Sequence, residues 1–152
     1  MNRRMAGWLA GAAVACAGQL SGVDARAAEF RSIAAPAVLY DAPSLLAKKL
    51  FVAPRGMPVE VVSVVNQWVK VKDQAGDIAW VERADLSAQR TVVARANAVV
   101  RSAAQDGAEV VFQAERGVVL ELAEPAPAPG WVRVRHRDGS NGYVRAAEVW
   151  GL

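Results

Sequence analysis

The sequence predicts an all-β protein, two small tandem β-barrels that follow an N-terminal signal peptide. Three observations predict it. The stretch "WVKVKDQAGDIAW", Trp68 to Trp80, returns as "WVRVRHRDGSNGY", Trp131 to Tyr143. Apolar residues in these stretches alternate with charged ones at the two-residue period of a strand. After residue 27 no segment sustains the 3.6-residue period of a helix.

The first element is the export signal. Arg3 and Arg4 precede an apolar run from Met5 to Leu20, and Ala25-Arg26-Ala27 supplies the small residues of a cleavage site. The 16 residues of that run, Gln19 among them, fall short of the roughly 20 apolar residues a spanning helix needs. Cleavage after Ala27 is therefore expected, with the mature chain periplasmic or secreted and without a stable membrane span. Cys16, the only cysteine, sits in "AVAC" and offers a second route, a lipid anchor. It is the weaker route, because Ala13 stands where such signals usually carry a larger aliphatic residue. After cleavage at Ala27 the chain would hold no cysteine, which excludes disulfides, thiol nucleophiles and thiolate metal sites.

Charge narrows the class further. Arg3, Arg4, Arg26 and Asp24 leave with the signal, so of 18 Lys plus Arg and 15 Asp plus Glu, 15 and 14 remain, a net charge of +1. Nucleic acid is not an expected partner, since binding it takes a concentrated basic face.

The repeat sets the architecture. Leu39 matches Val100, Phe51 matches Phe112, Arg55 matches Arg116, Gly56 matches Gly117 and Glu60 matches Glu121, all at an offset of 61. The offset then becomes 63, where Trp68 meets Trp131, Val71 meets Val134, Gly76 meets Gly139, Trp80 meets Tyr143 and Val81 meets Val144. A two-residue insertion within "EPAPAPG" explains the step, since alternating Pro and Ala mark a surface loop. Asp73 opposite His136 breaks the match.

Each copy is expected to hold several short strands. They are Pro58 to Val62 and Val119 to Leu122, then "WVKVK" and "WVRVR", then "IAWV" and "GYV" after the turns "DQAG" and "RDGSNG". Alternation places Val69 and Val71 on one face, with Trp68, Lys70 and Lys72 on the other. Trp131, Arg133 and Arg135 repeat that outer face. A unit this small buries little core alone, so the copies are expected to pack on each other.

These residues in this order resemble the bacterial SH3-like domain, present twice. The features are Val100-Arg101-Ser102 near the start, a glycine before a "V-E-V" type strand, "W-V-K/R-V", a glycine turn, an aromatic-valine pair and a closing acidic-apolar element. The whole mature chain, including the "RTVV" joint at Arg90 to Val93 and the terminal "VWGL" at Val149 to Leu152, is similar to exported tandem SH3-like proteins of bacteria. The resemblance implies a signal at residues 1–27 and SH3-like domains at residues 28–90 and 91–152. The copies differ where the first has Tyr40-Asp41 and the second Arg101-Ser102, and where Ala104 stands opposite Pro43, so they need not share one binding surface. "VLYDA" is also similar to the groove motif of eukaryotic SH3 domains, a likeness that counts only if Tyr40 is exposed.

The resemblance implies binding, to a cell-wall peptide or a periplasmic protein, and neither catalysis nor a cofactor. The residues agree with it. His136 is the single histidine, which excludes a histidine metal cluster and leaves one side chain for any serine-histidine-acid triad. Alternation puts it with Val132 and Val134 beside a turn, where a structural or solvated role is expected. Asp73, Asp77, Asp85 and Asp138 occupy turn or terminal positions that favour Asp regardless of chemistry, and "GSNG" closes a hairpin and leads into no phosphate-binding helix.

The expected ligand-binding residues are Trp68, Lys70 and Lys72, Trp131, Arg133 and Arg135, with Tyr40 beside them. Exposed aromatic faces would supply apolar area and the cations would pair with carboxylates. The alternative is a structural or scaffold protein of the cell envelope, in which each Trp covers a barrel end or packs between the copies. Lys48 and Lys49 before Phe51 contrast with Asp106 and Glu109 before Phe112. Either the copies prefer different ligands, or the basic loop of one meets the acidic loop of the other.

Overall fold

The computed structural model describes residues 27–124 and 128–152, Glu124 by its backbone only. The expected signal up to Arg26, Cys16 within it, and the centre of the Pro-Ala loop lie outside the described residues. Among the described residues, fourteen strands form two seven-stranded antiparallel sheets. The first contains β1 (Glu29–Ile33), β2 (Ala37–Tyr40), β3 (Lys49–Ala53), β4 (Pro58–Val65), β5 (Trp68–Lys72), β6 (Ile78–Glu82) and β7 (Leu86–Ser87). The second contains β8 (Thr91–Ala94), β9 (Ala98–Arg101), β10 (Val110–Ala114), β11 (Val119–Glu124), β12 (Trp131–Arg135), β13 (Asn141–Arg145) and β14 (Val149–Trp150).

The strand orders, β3-β2-β6-β5-β4-β1-β7 and β10-β9-β13-β12-β11-β8-β14, are the same order twice. Each sheet curls around its own core. Ile33, Leu39, Val59, Val71 and Val81 centre the first, and Val92, Val100, Leu120, Val134 and Val144 the second. Alanines at 37, 53 and 79, and at 94, 98 and 114, fill the narrow places between them. Valine suits both requirements, since its branched side chain packs well on a pleated, half-buried surface.

The turns repeat even where the residues do not. Asp73 and His136 differ, yet the Asp73 amide donates to the Asp77 carbonyl at 3.0 Å and the His136 amide to the Ser140 carbonyl at 2.8 Å. Gly76 (φ 94°) and Gly139 (φ 93°) supply the left-handed residue that closes each turn. The acidic-apolar element after each hairpin is a short 3-10 turn, Arg83–Asp85 or Ala146–Glu148.

Three features differ from the sequence expectation. β4 runs on to Val65, and its outer half with Val62, Val64 and Val65 projects as an exposed hairpin closed by Asn66 (φ 53°). "RTVV" is no joint, because β8 is buried along its whole length and pairs with β11 and β14. Its counterpart β1, which precedes the recognised repeat, bridges β4 and β7.

The two barrels pack together as expected and, apart from Gly56, through residues that are not among the positions matched between the copies. Phe30 meets Trp150 edge-on, with ring centroids 5.1 Å apart, and the Arg90 guanidinium lies 5.7 Å from the Phe30 ring. Arg90 donates to the Gly151 carbonyl at 2.7 Å. In the buried middle, the hydroxyls of Ser32 and Thr91 are 2.7 Å apart, and Thr91 donates to the Gly56 carbonyl at 2.7 Å. The acidic and basic loops do not meet there: Asp106 is bound by Arg145 of its own barrel.

Candidate functional site

The outer face of the first barrel is built on β5 and β6. Register sets Trp68 opposite Glu82, Lys70 opposite Trp80 and Lys72 opposite Ile78, and brings Tyr40 at the end of β2 beside Trp80. Residues opposite one another in a ladder share a face, so Tyr40, Trp68, Lys70 and Trp80 are gathered on one surface. Tyr40 and Trp68 meet at 88° with centroids 5.4 Å apart. The Lys70 ammonium stands 5.6 Å from the centroid of the half-buried Trp80, within cation–π range. Lys72 pairs with Glu60 across β4 and β5 at 2.5 Å.

The corresponding face of the second barrel is arranged differently. Trp131 lies opposite Arg145, Arg133 opposite Tyr143 and Arg135 opposite Asn141. The Arg145 guanidinium covers the Trp131 ring at 4.8 Å and grips Asp106 with two nitrogens, Nε at 3.0 Å. That fork holds the Asp106 carboxyl below its ordinary range and raises Arg145 above its own. Arg101, which stands where the first copy has Tyr40, donates to the Ala108 carbonyl at 2.9 Å and pins the same loop. The first barrel has Glu82 in place of Arg145 and Leu45 in place of Asp106, so this clamp is absent there.

The expected stripes exist as cross-strand sets, yet their tryptophans are not exposed. Trp68 and Trp131 are each 6% exposed, and Tyr40 is 8% exposed, so the condition attached to the "VLYDA" likeness is not met. Alternation tells which face a residue takes, and that face is covered by Tyr40 in one barrel and by Arg145 in the other. Of the cations, Lys70, Lys72 and Arg133 are half-buried and Arg135 is exposed. Sequence reasoning missed Trp80 as the partner of Lys70, although ladder register from the hairpin turn would have paired them. It also missed Arg145, 39 residues from Asp106, for which no local pattern gives a signal.

The other titratable cluster is the β12–β13 turn. His136 Nδ1 is 3.0 Å from Asp138 Oδ2, and its ring lies 5.8 Å from that of Phe112. Asp138 Oδ1 accepts the Ser140 amide at 2.8 Å. That backbone bond first, then bonds from His136 and the Ser140 hydroxyl, hold the Asp138 carboxyl down at about 2. The carboxylate thus sits between serine and histidine, whereas a triad needs the histidine between serine and acid. Among the described residues, no three His, Cys, Asp or Glu side chains gather as a metal site, and no helix is long and apolar enough to cross a membrane.

No curated protein matches the chain. Among solved structures, NlpC2 from Trichomonas vaginalis is 11% identical, matching 83% of this chain and 49% of its own with a TM-score of 0.39. NlpC1 from the same organism is 13% identical, over 83% of this chain and 46% of its own, at a TM-score of 0.38. An NlpC/P60 family protein from Bacillus cereus is 15% identical, over 82% of this chain and 56% of its own, at 0.38. The chain therefore spans about half the length of these structures. The model of the bacterial SH3 domain matches residues 34–88 and again residues 94–151. With those matches covering β2 to β7 of the first sheet and β9 to β14 of the second, the chain belongs to the bacterial SH3 domain family and carries that domain twice.

Proposed function

We propose that the protein is a non-catalytic binding module of the cell envelope, exported by its N-terminal signal, that recognises a cell-wall peptide or a periplasmic protein. The observation that carries this reading is the first barrel's outer face, where Lys70 and half-buried Trp80 lie side by side without the clamp that covers Trp131. On this reading Tyr40 and Trp68 are the packed floor, while Trp80, Lys70 and Lys72 meet the ligand. In the second barrel Arg133 and Arg135 would meet it beside Trp131. An aromatic edge beside the Lys70 ammonium, with Lys72 joining once a ligand carboxylate displaces Glu60, suits a short peptide bearing carboxylates. An NMR titration of the labelled protein with purified peptidoglycan fragments tests it. Saturable shifts at the Trp80 indole and at Lys70 and Lys72 are expected, and Lys70→Ala with Trp80→Ala should abolish them while the melting temperature stays high.

A second reading has its own observation. Trp68 and Trp131 are buried and the barrels are joined through a buried hydroxyl pair, as suits an envelope scaffold without a small-ligand site. A titration with no shifts on either barrel, together with no periplasmic protein captured, would replace the first reading with this one.

A further inference from the structure

Two clefts near the seam between the barrels are equivalent in backbone and unlike in chemistry. The Ala34 amide donates to the Asp85 carbonyl as the Arg95 amide does to the Glu148 carbonyl, and Ile33 pairs with Leu86 as Ala94 pairs with Val149. Arg95 therefore stands where the first barrel has Ala34, Trp150 where it has Ser87, and Arg116 where it has Arg55. Ala34, Arg55 and Ser87 line a cleft of about 120 Å³ with Glu121 of the second barrel, so one cation there has a carboxylate in the same cleft. Arg95, Arg116 and Trp150 line one of about 240 Å³, completed by Gln74 and Ala75 from the β5–β6 turn of the first barrel. No acidic side chain lines it.

The larger cleft is set up for an anion. Arg95 Nε donates to the Val149 carbonyl at 3.0 Å, which positions the guanidinium and leaves its two terminal nitrogens without a partner among the described residues. Arg116 has no such partner either. Two acids of the surrounding elements are engaged elsewhere: Glu148 Oε2 accepts the Val99 amide at 3.3 Å, and Asp73 Oδ1 accepts the Asp77 amide at 2.9 Å. Two guanidiniums in one cleft without a carboxylate repel each other, and an anion between them turns repulsion into charge-assisted hydrogen bonds. The walls say which anion. Trp150 is half-buried and fixed edge-on by Phe30, so the part of its ring that faces the cleft is a rigid apolar wall. Gln74, exposed at the rim, carries both a donor and an acceptor.

We propose that this cleft binds the C-terminal carboxylate of a peptide. Arg95 and Arg116 take the carboxylate, Trp150 receives an apolar last side chain, and Gln74 bonds the peptide group before it. Inorganic phosphate or sulfate would use the guanidiniums and leave the indole bare, so the apolar wall favours an organic carboxylate. The site needs both barrels, because the first supplies Gln74 and the second the cations. None of its residues belongs to the Lys70–Trp80 face, so the two sites stand or fall separately.

An NMR titration of the labelled chain with N-acetylalanyl-leucine tests this. Saturable shifts should appear together at the Trp150 indole and at the Gln74 and Ala75 amides. The uncharged N-acetylalanyl-leucinamide should bind about tenfold more weakly or worse, and so should the acid to Arg95→Ala or Arg116→Ala. Arg95→Ala installs the residue that the first barrel already carries at this place, so it should fold. Arg95→Lys should also weaken binding, since an ammonium cannot present a fork. Arg55→Ala, in the smaller cleft, should bind as the parent does. A folded protein without shifts at Trp150 overturns the proposal, as does equal binding of the amide, or of the acid to both alanine variants. Loss of binding in Arg55→Ala to the same extent overturns it as well. Sulfate that binds as tightly as the dipeptide marks an inorganic-anion site and overturns it too. Shifts confined to Lys70 and Trp80 would support the face on the first barrel and overturn this cleft.

Discussion

Trp131 is held from above by a guanidinium and from below by its own sheet, and Trp68 is held in the same way by Tyr40. Alanine at either position should therefore lower stability by about 3–5 kcal/mol in urea unfolding, the usual loss for a buried large aromatic. An unchanged unfolding midpoint would contradict the packing described. Asp138 offers a second test at the same scale. Its folded pKa of about 2 lies below the ordinary 3.8, so its stabilising effect is complete above 3.8 and lost as pH falls through 2. Carboxyl carbon shifts should accordingly give a midpoint near 2 for Asp138 and a higher one in the Ser140→Pro variant, which loses the amide and hydroxyl bonds but keeps His136. The face on which each tryptophan lies was legible from alternation alone. What covers that face was not, because Arg145 and Asp106 meet only after three intervening strands have been laid down.

The hairpins show why the repeat was readable at the level of elements. Period-two valines and a left-handed glycine are local requirements, so they survive as a pattern even when Asp73 is replaced by His136. The entry strands β1 and β8 left no such mark, since β8 is buried throughout and "TVVA" alternates nothing. Glycine substitutions separate two kinds of constraint. A methyl at Gly139 meets nothing within 4 Å, but φ of 93° should cost Gly139→Ala about 1–2 kcal/mol. Gly142→Ala should be worse, because its methyl would stand 2.5 Å from the Arg101 carbonyl oxygen and 2.8 Å from Val100. Ala79 holds the matching place in the first barrel, so the reciprocal Ala79→Gly should be mild. Thermal melts of the three variants rank them.

At the scale of the molecule, the seam between the barrels decides whether the copies behave as one unit. Thr91→Val keeps the shape but removes the link from Ser32 to Gly56, and should cost about 1–3 kcal/mol for the polar groups left unpaired. It should also split one unfolding transition, followed by both Trp150 fluorescence and circular dichroism, into two. Salt should leave the relative orientation of the barrels unchanged in small-angle scattering, because Phe30, Trp150 and the buried hydroxyls join them and no exposed ion pair is needed. A salt-dependent change of shape at concentrations where the protein is monomeric would contradict this seam. That the copies pack together was expected, but the residues that join them were not visible beforehand, since Phe30, Ser32 and Thr91 acquire their meaning only when the second barrel arrives.

That seam also has a direction. A hydroxyl has a single proton to give, and Thr91 gives its own to the Gly56 carbonyl, so the proton between Ser32 and Thr91 must come from Ser32. The two side chains are therefore unequal despite their matching chemistry. Ser32→Ala removes a donor and leaves Thr91 with an unused lone pair, while Thr91→Val orphans a donor and an acceptor at once. Thr91→Ser, which retains the proton and drops only a methyl, should restore the relay that valine destroys.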